Sequence, residues 1–188
     1  KLTIGTTVYD DFDGIYFTIQ SLRLHHSEVM NEVEFIIINN NPKSHQGNEI
    51  QKYSRHITEP LTYVEYSSYS STALRDKIFS LANTPYVLVM DCHVLLEGGI
   101  LKKLIEFYDK EKDEGNLLQG PLVYDDLNNL STHYDLKEWG AYMWGTWGTD
   151  DRGISRENKP FEIPAQGLGL FSCRKDSWLG FNSKFRGF

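Results

Sequence analysis

The sequence predicts an α/β domain with a mostly parallel central sheet and helices on both faces of that sheet. Three observations carry this reading. Tyr86-Val87-Leu88-Val89-Met90 and Phe35-Ile36-Ile37-Ile38 are unbroken apolar runs, the pattern of strands covered on both sides. Segments with helical spacing of apolar residues alternate with such runs along the chain. Each run also stops abruptly on polar residues, Asn39-Asn40-Asn41-Pro42 in one case and Asp91-Cys92-His93 in the other. Ligand crevices of open α/β sheets lie outside the carboxyl ends of the strands, so these stops are where chemistry is expected.

Leu2 to Val8 reads as the first strand, and Asp13 is placed to cap a helix bearing Ile15, Ile19 and Leu22 at helical spacing. Glu34 to Ile38 is the second strand, Asn48 to His56 a short helix, and Leu61 to Tyr66 a third strand. Leu74, Ile78, Leu81 and Ala82 make one apolar face of the next helix, which precedes the strand Tyr86–Met90. After Gly98-Gly99, Ile100, Leu101, Leu104, Ile105 and Tyr108 form the inward face of an amphipathic helix. Lys110 to Glu114 reads as its solvated end, and Leu117 to Tyr124 as another strand. From Asp125 to Pro164 the periodicity dissolves into Asn, Gly, Trp and charged residues, as in a lid or binding loop. This segment is expected to lie over the carboxyl ends of the strands and to become ordered when it closes over a ligand there. Ala165 to Arg174 recovers strand character, and Gly180 to Phe188 is a Gly- and aromatic-rich ending.

The 188 residues fit one domain with a real core, and 40% hydrophobic with 24% charged residues is an ordinary globular balance. A net charge of −7 leaves no basic stripe to displace counterions, so no nucleic-acid partner is expected. Cys92 and Cys173 form no C-x-x-C pattern, and no apolar run is long enough to span a bilayer. With no signal peptide in view, the expected setting is reducing and cytoplasmic, without a transmembrane segment. The start at Lys1, already beside a strand, reads as a trimmed chain. Trp139, Trp144, Trp147 and Trp178 crowd the last third, suited either to sugar platforms or to packing.

Asp91 and His93 sit two apart at a strand end, so strand alternation would point both the same way. A hard oxygen with an imidazole nitrogen suits a borderline divalent ion such as manganese. A lone D-x-H fits equally well an aspartate capping the next turn beside a surface histidine.

Thr7-Val8-Tyr9, Ile38-Asn39-Asn40-Asn41, Ala73-Leu74-Arg75-Asp76 and Met90-Asp91-Cys92-His93 occur in an order that resembles the nucleotide-sugar domain of family 2-like glycosyltransferases. The late segment Gly167 to Lys175, with Trp178-Leu179-Gly180-Phe181 and Phe185-Arg186-Gly187-Phe188, extends the likeness over nearly the whole chain. The resemblance implies a GT-A fold, with residues 1–188 a single nucleotide-sugar-binding domain that lacks the family's last part. The D-x-H form is similar to that of polypeptide N-acetylgalactosaminyltransferases. By that likeness Asp91 and His93 would hold Mn2+ (or Mg2+) against the diphosphate of a UDP-sugar, neutralising the leaving group. His133 is a possible third ligand by position, or an ordinary exposed histidine.

The same resemblance places Thr7 and Tyr9 at the uracil and ribose pocket and Arg75 near the donor phosphates, where a forked guanidinium is suited. Against that role of Arg75 stands a surface ion pair with Asp76 or another acid. Asn39 and Asn40 stand where the family usually has an Asp-Asp pair that accepts the N3–H of uracil. An asparagine can accept that proton, and it can equally serve turn geometry before Pro42. Gly167 and Gly169 match a strand facing donor and acceptor, where absent side chains admit a ligand. The family's usual source of a base follows the Phe185–Phe188 turn, so no catalytic base is named. Asp150 and Asp151 have no support for that role.

The function implied is metal-dependent transfer of a sugar from a UDP-sugar to a carbohydrate or other hydroxyl acceptor. The D-x-H likeness implies a retaining reaction and the general family pattern an inverting one. A sugar nucleotidyltransferase shares a similar sheet but usually carries a Gly-rich basic phosphate loop, whereas Thr6 to Asp11 is glycine-free and acidic. A non-catalytic nucleotide-sugar-binding domain is the third reading.

Overall fold

Leu2–Val8 forms β1, the strand around which the sheet is built. The computed structural model describes residues 1–68, 70–110, 115–137, 144–155 and 159–181. After β1 come α1 (Phe12–His25), β2 (Val33–Asn39), α2 (His45–Ser54), β3 (Leu61–Glu65), α3 (Arg75–Leu81), β4 (Tyr86–Met90) and α4 (Ile100–Lys110). Then follow β5 (Leu122–Val123), β6 (Leu130–Ser131), β7 (His133–Leu136), β8 (Gly145–Gly148), α5 (Asp151–Ile154) and β9 (Leu170–Arg174). Five strands make one sheet in the order β3-β2-β1-β4-β9. β1 runs parallel to β2, from Leu2↔Val33 to Val8↔Asn39, and to β4, from Leu2↔Tyr86 to Gly5↔Val89. β2 runs parallel to β3 from Phe35↔Leu61 to Asn39↔Glu65. This is the mostly parallel layered sheet that the sequence predicts.

The parallel pairings explain the unbroken apolar runs. Phe35, Ile36, Ile37 and Ile38 are all buried although successive side chains point to opposite faces, so both faces of β2 are covered. On β1, Gly5 meets α3: a Cβ there would run into the Ile78 side chain, so glycine permits the helix to sit close. Ile15, Ile19 and Leu22 are the buried apolar face of α1, as their spacing indicates. In α4 the buried stripe is Leu101, Ile105 and Tyr108. Ile100, expected inward, lies at the helix start and is 39% exposed. Tyr108 stacks on Tyr86 at 3.9 Å between ring centroids and joins its hydroxyl to Ser172, whose Oγ donates to the Val87 carbonyl.

Helix starts depart from expectation where a polar side chain decides them. The N-cap of α1 is Asp11, not Asp13: Asp10 has φ 50° and turns the chain immediately after β1, so Asp11 accepts from Gly14 N at 2.9 Å. Asp13 lies in the first turn instead, where a negative charge suits the helix dipole. α2 begins earlier than its weak periodicity suggests, because Ser44 accepts from Gly47 N at 2.8 Å.

The chain divides into two compact units, Lys1–Leu117 with Ser172–Phe188, and Leu118–Phe171. Within the second, the expected strand Leu117–Tyr124 is reduced to β5, two exposed residues paired antiparallel to β6. β7 pairs antiparallel to β8, from His133↔Gly148 to Leu136↔Gly145. Asp126 closes the turn between β5 and β6 by accepting from the backbone N–H groups of Asn128 and Asn129. The region thus has short ladders where the sequence shows no period. Trp139, the charge run beyond Lys110 and the Phe185–Phe188 turn lie outside the described residues. Among the described residues, no helix is long and apolar enough to cross a membrane.

Candidate nucleotide-sugar site

The carboxyl ends of β1 and β2 open into a cleft of about 190 Å³. Thr7 and Tyr9 line it from the end of β1, Asn40 from the residue after β2, and Ser71 and Arg75 from the approach to α3. A 3-10 turn over Thr72–Leu74, capped by Ser71 Oγ accepting from Ala73 N, delivers Arg75 to the start of α3. Arg75 is only 8% exposed, and its Nη2 donates to Asp91 Oδ1. Tyr9 is 58% exposed, so its ring stands at the mouth rather than in the core. Asn40 is buried and donates from Nδ2 to the Tyr66 carbonyl at 2.7 Å, which fixes its side chain at the cleft wall.

Asn39 does not line this cleft. It is fully buried, and its Nδ2 donates to the Gly47 carbonyl at 2.9 Å and to the Tyr63 hydroxyl at 2.8 Å. Its Oδ1 accepts from Asn41 N, while Asn41 Nδ2 and Ser44 Oγ donate to Asp10. These bonds tie the ends of β1 and β2 to α2. An aspartate in place of Asn39 would set a carboxylate oxygen against the Gly47 carbonyl, two acceptors where a donor now bridges them. Asn39→Asp is therefore expected to lower stability by about 1–3 kcal/mol. Urea unfolding measures this, and UDP binding by the folded protein should stay close to wild type.

Asp91 and His93 leave β4 for a turn in which Val94 N donates to the Asp91 carbonyl, so strand alternation no longer sets their directions. The acid paired with Arg75 is Asp91, 32% exposed at its side chain, and not Asp76. Asp76 is instead occupied by Trp178 Nε1 and the Phe181 N–H. His93 points its Nδ1 at Asp11 Oδ2, 2.9 Å away. Asp11, Cys92 and His93 form a group whose ligand atoms lie within 4.8 Å of one another, and Asp91 stands outside it.

The donor chemistry decides how such a set meets a divalent ion. Burial, then the Asp11 charge, pushes the Cys92 thiol up to about 12, so it remains an S–H that donates toward Asp11 at 3.4 Å. Burial acts to raise the Asp11 carboxyl, but hydrogen bonds from His93, Gly14 and Cys92 outweigh it and leave it below its usual range. Asp11 thus accepts from three donors, one at Oδ1 and two at Oδ2. The two residues the sequence singles out each keep another partner: one oxygen of Asp91 meets Arg75, and Nδ1 of His93, on a side chain 65% exposed, meets Asp11.

Other sequence candidates fall in the second unit. His133 is not an exposed histidine: Nδ1 meets Thr132 Oγ1 at 2.8 Å and Nε2 meets Asp135 at 3.2 Å. Gly167 lies against the Trp147 indole, where a Cβ would crowd the ring, and Gly169 lies just before β9. Trp144 and Trp147 are both exposed, and Trp147 meets Tyr134 edge-on at 5.4 Å. Asp150 caps α5 and forks with Arg152, which holds its carboxyl down to about 2. Sequence reading missed Asp11 and Ser71. The signal for Asp11 was its place at the end of the first strand, two residues after Tyr9.

A mostly parallel sheet with a polar cleft beyond β1 and β2 defines the class of open α/β domain whose ligand crevice lies at the carboxyl ends of the strands. Within that class the chain belongs to glycosyl transferase family 2, whose model matches residues 3–177. Among solved structures it is similar to a mannosyltransferase, PcManGT from Pyrobaculum calidifontis, in complex with GDP-Man and Mn2+ (TM-score 0.65, 10% identity, 93% of this chain and 44% of that one). It is also similar to residues 1–349 of S. aureus TarS in complex with UDP-GlcNAc (TM-score 0.52, 17% identity, 65% of this chain and 34% of that one). At such identities these likenesses speak for the fold. The chain spans less than half the length of either structure. No curated protein matches it.

Proposed function

We propose that this chain is the donor-binding part of a metal-dependent glycosyltransferase that moves a sugar from a UDP-sugar to a hydroxyl acceptor. The observation that carries the reading is the convergence of Thr7, Tyr9, Asn40 and Arg75 on one cleft, with Asp91 held at the Arg75 guanidinium. The Tyr9 ring offers a face for the base, and Thr7 and Asn40 offer polar groups beside it. Arg75 is aimed before any ligand arrives, because its chain is buried and its Nη2 is bound by Asp91. Its planar fork presents further N–H donors suited to diphosphate oxygens. Asp91 and His93 would hold Mn2+ or Mg2+, which supplies neutralisation of charge on the departing diphosphate. GDP-Man and UDP-GlcNAc in the similar structures support a nucleotide-sugar donor, and Mn2+ in the first supports the ion.

The test is calorimetry of UDP with the folded protein, with and without Mn2+. Binding that strengthens at least tenfold with Mn2+ is expected. No binding, or binding indifferent to the ion, overturns the metal–donor reading.

A further inference from the structure

Three donors converge on the Asp11 carboxylate. Gly14 N reaches Oδ1 at 2.9 Å, while His93 Nδ1 and Cys92 Sγ reach Oδ2 at 2.9 and 3.4 Å. A carboxylate only accepts hydrogen bonds, so a neutral imidazole facing it must place its N–H there. We propose that Asp11 is the positioning residue for His93: it holds the ring as the Nδ1–H tautomer and turns Nε2 outward as the nitrogen for a divalent cation. This rests on His93 as a metal ligand, and adds the group that makes it one.

The local fold serves this arrangement. His93 sits in an exposed turn, with little packing to set its ring. Asp11, by contrast, is anchored as the N-cap of the fourteen-residue α1. Glycine at position 14 leaves the carboxylate its room, since a Cβ there would collide with it. Thr18 of α1 also donates to the Cys92 and Val94 carbonyls, at 2.9 and 3.2 Å, binding the helix to the turn that carries His93. The first βα junction and the turn after β4 are thereby one unit. A metal-ligating histidine is commonly oriented in this way by a carboxylate on its other nitrogen.

A cap that merely touches His93 would give the same contacts, and two substitutions separate the possibilities. Asp11→Asn keeps a carbonyl for Gly14 N but turns an NH2 toward His93, which then must accept at Nδ1 and carry its proton on Nε2. Asp11→Ser keeps the cap and is too short to reach the ring. The first readout is the 15N spectrum of the His93 ring in the metal-free protein at about pH 8.5, where an ordinary histidine is neutral. The wild type should show Nδ1–H, Asp11→Asn should show Nε2–H, and Asp11→Ser should show a mixture. The second is Mn2+ binding by electron paramagnetic resonance, where Asp11→Asn should lose about 10- to 100-fold in affinity. Circular dichroism should find α1 intact in both variants, because each retains the cap.

Nε2–H in the wild type would overturn the proposal, as would an unchanged tautomer in Asp11→Asn. Absence of Mn2+ binding by the wild type would instead remove the metal reading, and the tautomer would still decide the role of Asp11.

Discussion

Arg75→Met should weaken UDP binding by roughly 10- to 100-fold, the loss expected when a charged hydrogen-bond donor worth about 1.5–3 kcal/mol is removed. The side chain is nearly buried, lines the cleft and ends on Asp91, so the substitution removes the donor proposed to meet phosphate and strips a partner from a half-buried carboxylate at once. Methionine fills the same space, so the loss is one of charge and donors rather than volume. Arg75→Lys restores the charge without the fork and should recover only part of the affinity. Calorimetric titration with UDP measures both. An Arg75→Met protein that binds UDP like wild type would show that the guanidinium serves Asp91 alone.

The largest stability loss is expected from Ile37→Ala, about 2–5 kcal/mol. Ile37 is fully buried in β2 and paired across to Thr6 on one side and Tyr63 on the other. The strand is hydrogen-bonded along both edges, so the backbone has little freedom to collapse into the cavity. Phe17→Ala, on the exposed side of α1, should stay within about 0.5 kcal/mol of wild type. Urea midpoints at constant slope give both values. A loss at Ile37 no larger than that at Phe17 would mean that β2 is not covered on both faces.

The central strands were legible because double-sided burial leaves its mark in composition. Leu2–Val8 and Tyr86–Met90 form strands with the bounds the sequence indicates, and β2 adds one residue at each end. Helix starts were less legible, since Asp11 and Ser44 act through single hydrogen bonds rather than through a period. The ladders of the second unit are too short for alternation to register. Positions at strand ends were readable: Thr7, Tyr9 and Asn40 line one cleft, joined there by Arg75 from the start of α3. Pairings were not. Asp11 and His93 are 82 residues apart, and nothing local distinguishes Asn40 at the wall from Asn39 in the framework behind it.

The strand order has a consequence during synthesis. β1, β2 and β3 can associate once residue 65 has been made, and β4 joins at residue 90. The far edge of β4 is covered by β9, which ends the long excursion through β5 to α5 and emerges only from residue 170. At ordinary translation speeds that is a wait on the order of ten seconds. Throughout it, the row Val87-Leu88-Val89-Met90 offers unpaired backbone groups and apolar side chains to any passing chain. The nascent polypeptide is therefore most open to aggregation, and most in need of a chaperone, between the emergence of its fourth strand and of its ninth.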